Sequence, residues 1–280
     1  MGRLAVVTGS NKGIGFAIVE ALCKKFDGTV MLCSRDLERG QKAVDVLKQK
    51  GLNPVLHQLE ISDQNSINKL AETIKNEYQG LDILVNNAAI AYKHDATEPF
   101  VKQAEDTINV NFFANLDVCK TLFPLLRPHA RVVNLSSSLG MLKQVSSPEI
   151  RTKLSNPNLT EDQLISIVKE YLADVKAGVH LDKGWPQTAY STSKVFVSAL
   201  TFIQQREFNK DTREDIVINA VHPGYVDTDM TSHKGPLTIE EGASAPVYCA
   251  LLPPNSTKPK GDMVWCNSKI VDWQSLESVE

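Results

Sequence analysis

Apolar periodicity switches repeatedly along this chain, and that switching limits its possible folds more than any other feature. Residues 4–8, Leu-Ala-Val-Val-Thr, form a β-branched run without alternation, the pattern of a strand covered on both faces. Comparable runs recur at 29–33, 54–59, 81–85, 131–135 and 216–221, with a further candidate at 263–266. Between them, segments 13–26, 36–50, 63–78, 104–126 and 188–209 carry apolar residues at helical spacing. Asp36 and Asp63 stand as N-caps, and Gly51 ends its helix where a C′ glycine belongs. Strand and helix alternating in this way predict an α/β fold, a doubly wound parallel sheet of about seven strands. With no internal repeat and no low-complexity linker, residues 1–280 read as a single domain.

One segment breaks the rhythm. Roughly fifty residues separate Ser137 from Thr188, too many for a structureless loop in a compact domain. A helical insertion is therefore expected over about 141–187, with a helix at 161–176 capped by Thr160. Its Leu164, Ile165, Ile167, Val168, Tyr171 and Leu172 supply one apolar face. Glu161, Asp162, Lys169, Glu170 and Lys176 point the other way.

Charge and cysteine usage exclude whole classes of function. Thirty Lys and Arg against 33 Asp and Glu give a net charge of −3, with no basic footprint for nucleic acid. No apolar run approaches the ~18–20 residues that span a bilayer, and the first residues lack a leader's apolar stretch. The 5 cysteines are scattered, without paired spacing for a disulfide framework or a metal, and the other ligand types add no metal pattern. A reduced, cytoplasmic setting is expected, with a small molecule as partner.

The first chemical signal is Thr8-Gly9-Ser10-Asn11-Lys12-Gly13-Ile14-Gly15, between the first strand and the first helix. Glycines there permit a tight turn and close approach of a pyrophosphate, which the helix N-terminus attracts. Such a turn makes the fold Rossmann-like. The second strand ends Ser34-Arg35-Asp36, and an Arg at that place accommodates the 2′-phosphate of NADPH. Lys12 adds a second cation, and Arg39 is either a third or a solvated surface charge. Asp36 suits a helix cap better than a ribose ligand. NADPH is the expected cofactor.

The second signal is Tyr190-Ser191-Thr192-Ser193-Lys194. On a helix the phenol and the ammonium share one face, and a nearby cation draws a Tyr pKa down from ~10 towards the working range. The pair gains meaning from the strand ends, where α/β sheets bind their ligands. Asn134-Leu135-Ser136-Ser137-Ser138 ends the fifth strand, Asn86-Asn87-Ala88-Ala89 the fourth, and His222-Pro223-Gly224-Tyr225-Val226-Asp227-Thr228 the sixth.

On these motifs, in this order, the chain resembles the short-chain dehydrogenase/reductases over nearly its whole length. The turn at 9–15, Gly184-Trp185-Pro186, 248–254 and the long insertion resemble the monomeric NADPH-dependent carbonyl reductases of animals. The resemblance implies reduction of ketones, aldehydes and quinones, with Tyr190 as general acid and Lys194 lowering its pKa and binding the nicotinamide ribose. It implies that Ser137 polarises the substrate and that Asn111 holds a water for proton relay. Gly9, Asn11, Lys12, Gly13, Ile14, Gly15, Arg35, Glu60, Ile61 and Asn87 would hold NADPH, joined by Pro223, Gly224, Val226 and Thr228.

Two positions depart from the family. Ala89 stands where it has glycine, and Glu60 where it has the Asp that contacts adenine. Met141, with Leu142, is expected in an apolar substrate wall. Tyr225 and Trp185 read as aromatic walls, and Trp185 equally as packing for the insertion. His222 either lines the site or braces the strand end. The insertion covers the helices through which shorter members form tetramers, so a monomer is expected. Two other readings stay open: a reductase or dehydrogenase for one alcohol, steroid or terpenoid, and a non-catalytic NADPH-binding protein.

Overall fold

The computed structural model describes residues 2–93 and 95–277. The first half runs β1 (Leu4–Val7), α1 (Gly13–Lys25), β2 (Thr29–Ser34), α2 (Leu37–Gln49), β3 (Val55–Gln58), α3 (Gln64–Thr73) and β4 (Leu81–Asn86). Then come α4 (Phe100–Ile108), α5 (Asn115–Leu122), β5 (Leu126–Leu135), α6 (Pro148–Leu154), α7 (Glu161–Lys176) and α8 (Ala189–Phe208). The chain finishes with β6 (Val217–Val221), α9 (Ile239–Ala250), β7 (Met263–Val264) and β8 (Ile270–Val271).

The strands form one sheet of 8 in the order β3-β2-β1-β4-β5-β6-β7-β8. Every pairing is parallel except β7 with β8. The eighth strand, beyond the expected seven, is two residues long, too short to leave a periodicity. Burial on both faces explains the absence of alternation: Ala5 and Val7 enter one core with α1, α2 and α9, while Leu4 and Val6 enter another with α3 and α5.

Local chemistry sets the helix starts. Asp36 and Asp63 accept the Arg39 and Asn65 backbone N–H groups, as their N-cap reading requires, each cap contributing about 1 kcal/mol. Thr160 and Gln163 form a reciprocal capping box at the head of α7. The single helix expected over 104–126 is instead interrupted by a π-helical stretch at Asn109–Ala114 and closed by a 3₁₀ turn at Phe123–Leu125.

The insertion is helical, as its length required. α7 packs against α4 and α8, burying Leu164, Ile167, Val168, Tyr171 and Val175, while Ile165 and Leu172 are half-buried. Truncating a buried Leu here to Ala costs about 2–5 kcal/mol. Asp174 is also buried, held by Trp185 Nε1 at 2.9 Å and Lys183 Nζ at 2.6 Å.

Candidate active site

Parallel strands bring their C-terminal ends to one edge, so the residues after β1, β4, β5 and β6 face a common crevice. At the glycine turn, Gly9 and Gly13 both have φ of +59°, a conformation glycine adopts without strain. A Cβ on Gly15 would lie 2.5 Å from Asn87 Nδ2, and one on Gly9 2.9 Å from Ala88. Asn87 closes this corner by donating to the Thr8 and Gly9 carbonyls, both at 2.9 Å. Ala89 keeps an ordinary negative φ, so its departure from glycine brings no strain.

The head of α1 has no side-chain cap and no acidic residue in its first turn. Its N–H groups and positive potential are therefore available to an anion, and the glycine cradle fits a pyrophosphate. Asn11 and Ile14 belong to the same turn, and Gly13 lies in van der Waals reach of the Thr228 side chain. Lys12 Nζ pairs with Asp229 at 2.5 Å, and Arg35 with Glu60 at 3.5 Å, with the two cationic side chains 61% and 79% exposed. Asp36 Oδ1 caps the head of α2 by accepting the Arg39 N–H, and Arg39 Nε lies 3.9 Å from Oδ2. The residues at this end of β2 fit a 2′-phosphate.

Glu60 is turned back on its own loop, accepting from Ser62 N and Oγ, both at 3.0 Å. The Ile61 side chain is buried in the core, so only its backbone is left for a cofactor. Pro223 and Val226 are buried, and Gly224 takes a φ of +94°.

Tyr190 and Lys194 share one face of α8, with Lys194 Nζ 5.6 Å from the Tyr190 ring centroid. The ammonium donates to the Leu135 carbonyl at 2.6 Å. Burial lowers the Lys194 pKa to about 8. Burial raises that of Tyr190 to about 12, against the opposing pull of its hydrogen bond with Ser137. The expected lowering of the Tyr190 pKa is thus absent: desolvation of the phenolate outweighs the pull of the Ser137 hydroxyl.

Of the three serines, Ser137 is the one whose hydroxyl acts on the Tyr190 pKa. Ser136 is buried against Ser198 Oγ at 2.7 Å. Ser137 Oγ accepts the Leu139 N–H at 3.1 Å, capping a 3₁₀ turn at Ser138–Gly140. That turn corrects one expectation. It sends Leu139 outward, 40% exposed, and Met141 into the core with no exposed surface, so Met141 forms no open substrate wall. Leu142 is buried beside it.

Asn111 lies in the π-helical stretch. Its Nδ2 donates to the Ile90 carbonyl at 2.9 Å and Ser193 Oγ at 3.0 Å, and its Oδ1 accepts the Ile90 N–H at 2.8 Å. Both amide hydrogens are thus spent, one on the loop after β4 and one on Ser193 of α8. Trp185 proves to be packing, edge-on to Tyr171 and Phe196 at 5.3 and 5.9 Å between centroids. His222 is buried and does not line an open surface. Tyr225 is 52% exposed beyond the Pro223-Gly224 turn, and Met230, which the sequence did not single out, is also exposed. Trp273 was missed as well; its Nε1 donates to the Gly140 carbonyl at 2.6 Å and braces the serine turn. Neither residue stands in a motif that would have marked it.

A family model described as short chain dehydrogenase matches residues 3–148 and 176–236, leaving out most of α6 and α7. The chain is 46% identical over 272 residues to carbonyl reductase [NADPH] 1 of Rattus norvegicus, covering 96% of this chain and 98% of that one. It is 47% identical over 264 residues to carbonyl reductase [NADPH] 3 of Mus musculus, covering 94% and 95% respectively. Among solved structures, salutaridine reductase from Papaver somniferum superposes with a TM-score of 0.84 at 34% identity, over 93% of this chain and 99% of that one. With its sheet order, glycine turn and Tyr190–Lys194 pair, the chain belongs to the short chain dehydrogenase family.

Proposed function

We propose that this protein reduces carbonyl compounds (ketones, aldehydes and quinones) to alcohols with NADPH. The observation that carries the reading is the grouping of Tyr190 with the Ser137 hydroxyl, which pulls the phenol's pKa down, and with Lys194, whose Nζ lies 5.6 Å from the ring centroid and is itself anchored on Leu135. NADPH, when bound, supplies the hydride that reaches the carbonyl carbon. Ser137 donates to the carbonyl oxygen and polarises it, and Tyr190 passes its phenolic proton to that oxygen, completing the alcohol. A phenol held protonated to about 12 is a loaded acid at neutral pH. Lys194 stabilises the phenolate left behind, and its ammonium is free to donate to a nicotinamide ribose.

Reprotonation draws on water. With the Asn111 amide hydrogens spent, a relay water would need a partner other than that NH2 group. The exposed Leu139, Tyr225 and Met230 flank the serine and cofactor turns in sequence and suit an apolar substrate body.

A second reading, reduction of one specific ketone, is favoured by the solved structure of similar fold, which is named for a single substrate. A non-catalytic role has less support, since Asn111, Ser137, Tyr190 and Lys194 are all present. Among the described residues no helix is long and apolar enough to cross a membrane. The 5 free thiols suit a cytoplasmic location. The test is loss of NADPH absorbance with purified protein against a panel of aldehydes, ketones and quinones, repeated with NADH. Turnover across the panel supports the broad reading and turnover of one ketone the narrow one. Absence of turnover with any member removes the enzyme.

A further inference from the structure

The serine turn is held at both ends, and one of its anchors is a histidine from the neighbouring strand. His222 follows β6, which pairs with β5 in parallel, and Ser136 N donates to the Val221 carbonyl at 2.8 Å. This places the imidazole beside the Ser137 turn. Its Nδ1 accepts the Ser138 N–H at 3.0 Å and lies 3.4 Å from the Gly224 N–H. The ring is 8% exposed and lies against Trp265, 4.3 Å between centroids. At the other end of the turn, Trp273 Nε1 holds the Gly140 carbonyl at 2.6 Å.

We infer that His222 is a positioning residue for the Ser137 hydroxyl. An Nδ1 that accepts a backbone N–H is unprotonated, so the proton of the neutral ring resides on Nε2. Among the described residues no charged side chain hydrogen-bonds to the ring, and burial lowers its pKa to about 4. The acceptor therefore persists at neutral pH. Ser137 Oγ takes its orientation from the turn, because it accepts the Leu139 N–H of the same turn at 3.1 Å. Anchoring Ser138 thus fixes where the hydroxyl points relative to Tyr190. The inference rests on Ser137 acting in carbonyl reduction as proposed above.

Two amide substitutions separate positioning from packing. In His222→Asn the Oδ1 acceptor is attached to Cγ, as Nδ1 is. In His222→Gln it lies one bond further out. Turnover, the Kd for NADPH and the thermal midpoint are measured for each, alone and combined with Ser137→Ala. His222→Asn is expected to retain kcat within a few-fold, and His222→Gln to lose roughly tenfold or more with little change in Kd for NADPH. In the Ser137→Ala background the two His222 variants are expected to give the same kcat, because the group they position is gone. Equal kcat for Asn and Gln in the parent protein, or an unchanged Asn–Gln difference in the Ser137→Ala background, overturns the inference. If Ser137→Ala alone leaves kcat unaltered, it is the role of Ser137 that fails.

Discussion

Lys194 sits beneath the Tyr190 ring and gives one of its hydrogens to the Leu135 carbonyl, so α8 and the end of β5 are joined beside the proposed proton donor. Burial there lowers the Lys194 pKa from 10.5 to about 8, while Tyr190 stays protonated to about 12. The falling limb of the pH–rate profile for reduction therefore belongs to Lys194: kcat declines as pH rises through about 8. The stability linkage has the opposite sense. The folded state releases this proton more readily than the unfolded one, so the cost of burying the charge is full below about 8 and is relieved towards 10.5. Steady-state rates at saturating NADPH test the assignment, and a profile level from 8 to 10.5 would refute it.

Tyr190→Phe keeps the ring and its packing but deletes the proton donor. Turnover is expected to fall by the ~10²–10⁴ typical of general acid catalysis, with NADPH binding retained. Parallel fluorescence titration and rate measurements separate the two quantities. Near-normal turnover would take Tyr190 out of the mechanism.

Arg35→Ala, alone or with Lys12→Ala, is expected to weaken NADPH and leave NADH nearly unchanged. A lost charge-assisted contact corresponds to about 1.5–3 kcal/mol, a tenfold to hundredfold change in Kd. Both cations are exposed, so their removal leaves no cavity. Equal weakening of the two cofactors would mean that these residues support the turn instead of reading the phosphate.

The contrast between Leu139 and Met141 marks how far the sequence could be read. Strand and helix periods, and the order of the strand-end motifs, revealed the sheet and the edge that carries the site. Which side chain after Ser137 faces outward depends on a three-residue 3₁₀ turn held by Ser137, His222 and Trp273, and two of those partners are distant in sequence. The π-helical stretch at Asn111 escaped notice because its apolar spacing differs little from that of a regular helix. α9 escaped notice as well, although Thr238 and Glu241 form a capping box at its head. It contains Gly242 and Pro246, residues that ordinarily argue against a helix, yet a Cβ on Gly242 would lie 2.6 Å from Val226. Close packing on the cofactor turn requires that glycine. Glu60 shows the converse limit: its motif position was legible, but its hydrogen bonds to Ser62 were not.

The insertion bears on assembly. α7 lies against α4 and α8, covering helix surface that self-association through those helices would need. Its buried face is apolar, and Lys176–Glu105 and Lys120–Glu161 ion pairs at 2.9 and 2.8 Å fasten its two ends. The outer face presents Asp162, Lys169 and Lys176 to solvent, with Glu161 and Glu170 partly exposed. Burying such a face in a dimer would desolvate charges that lack partners across the contact, which outweighs the little apolar area gained. The protein is therefore expected to sediment as a monomer of 30.9 kDa at micromolar concentration. Replacing Leu164 and Val168, both buried under α7, with Ala should loosen the insertion and promote self-association through the helix surface it uncovers. Sedimentation equilibrium on both proteins decides the matter: a dominant dimer or tetramer of the parent chain would overturn the assignment.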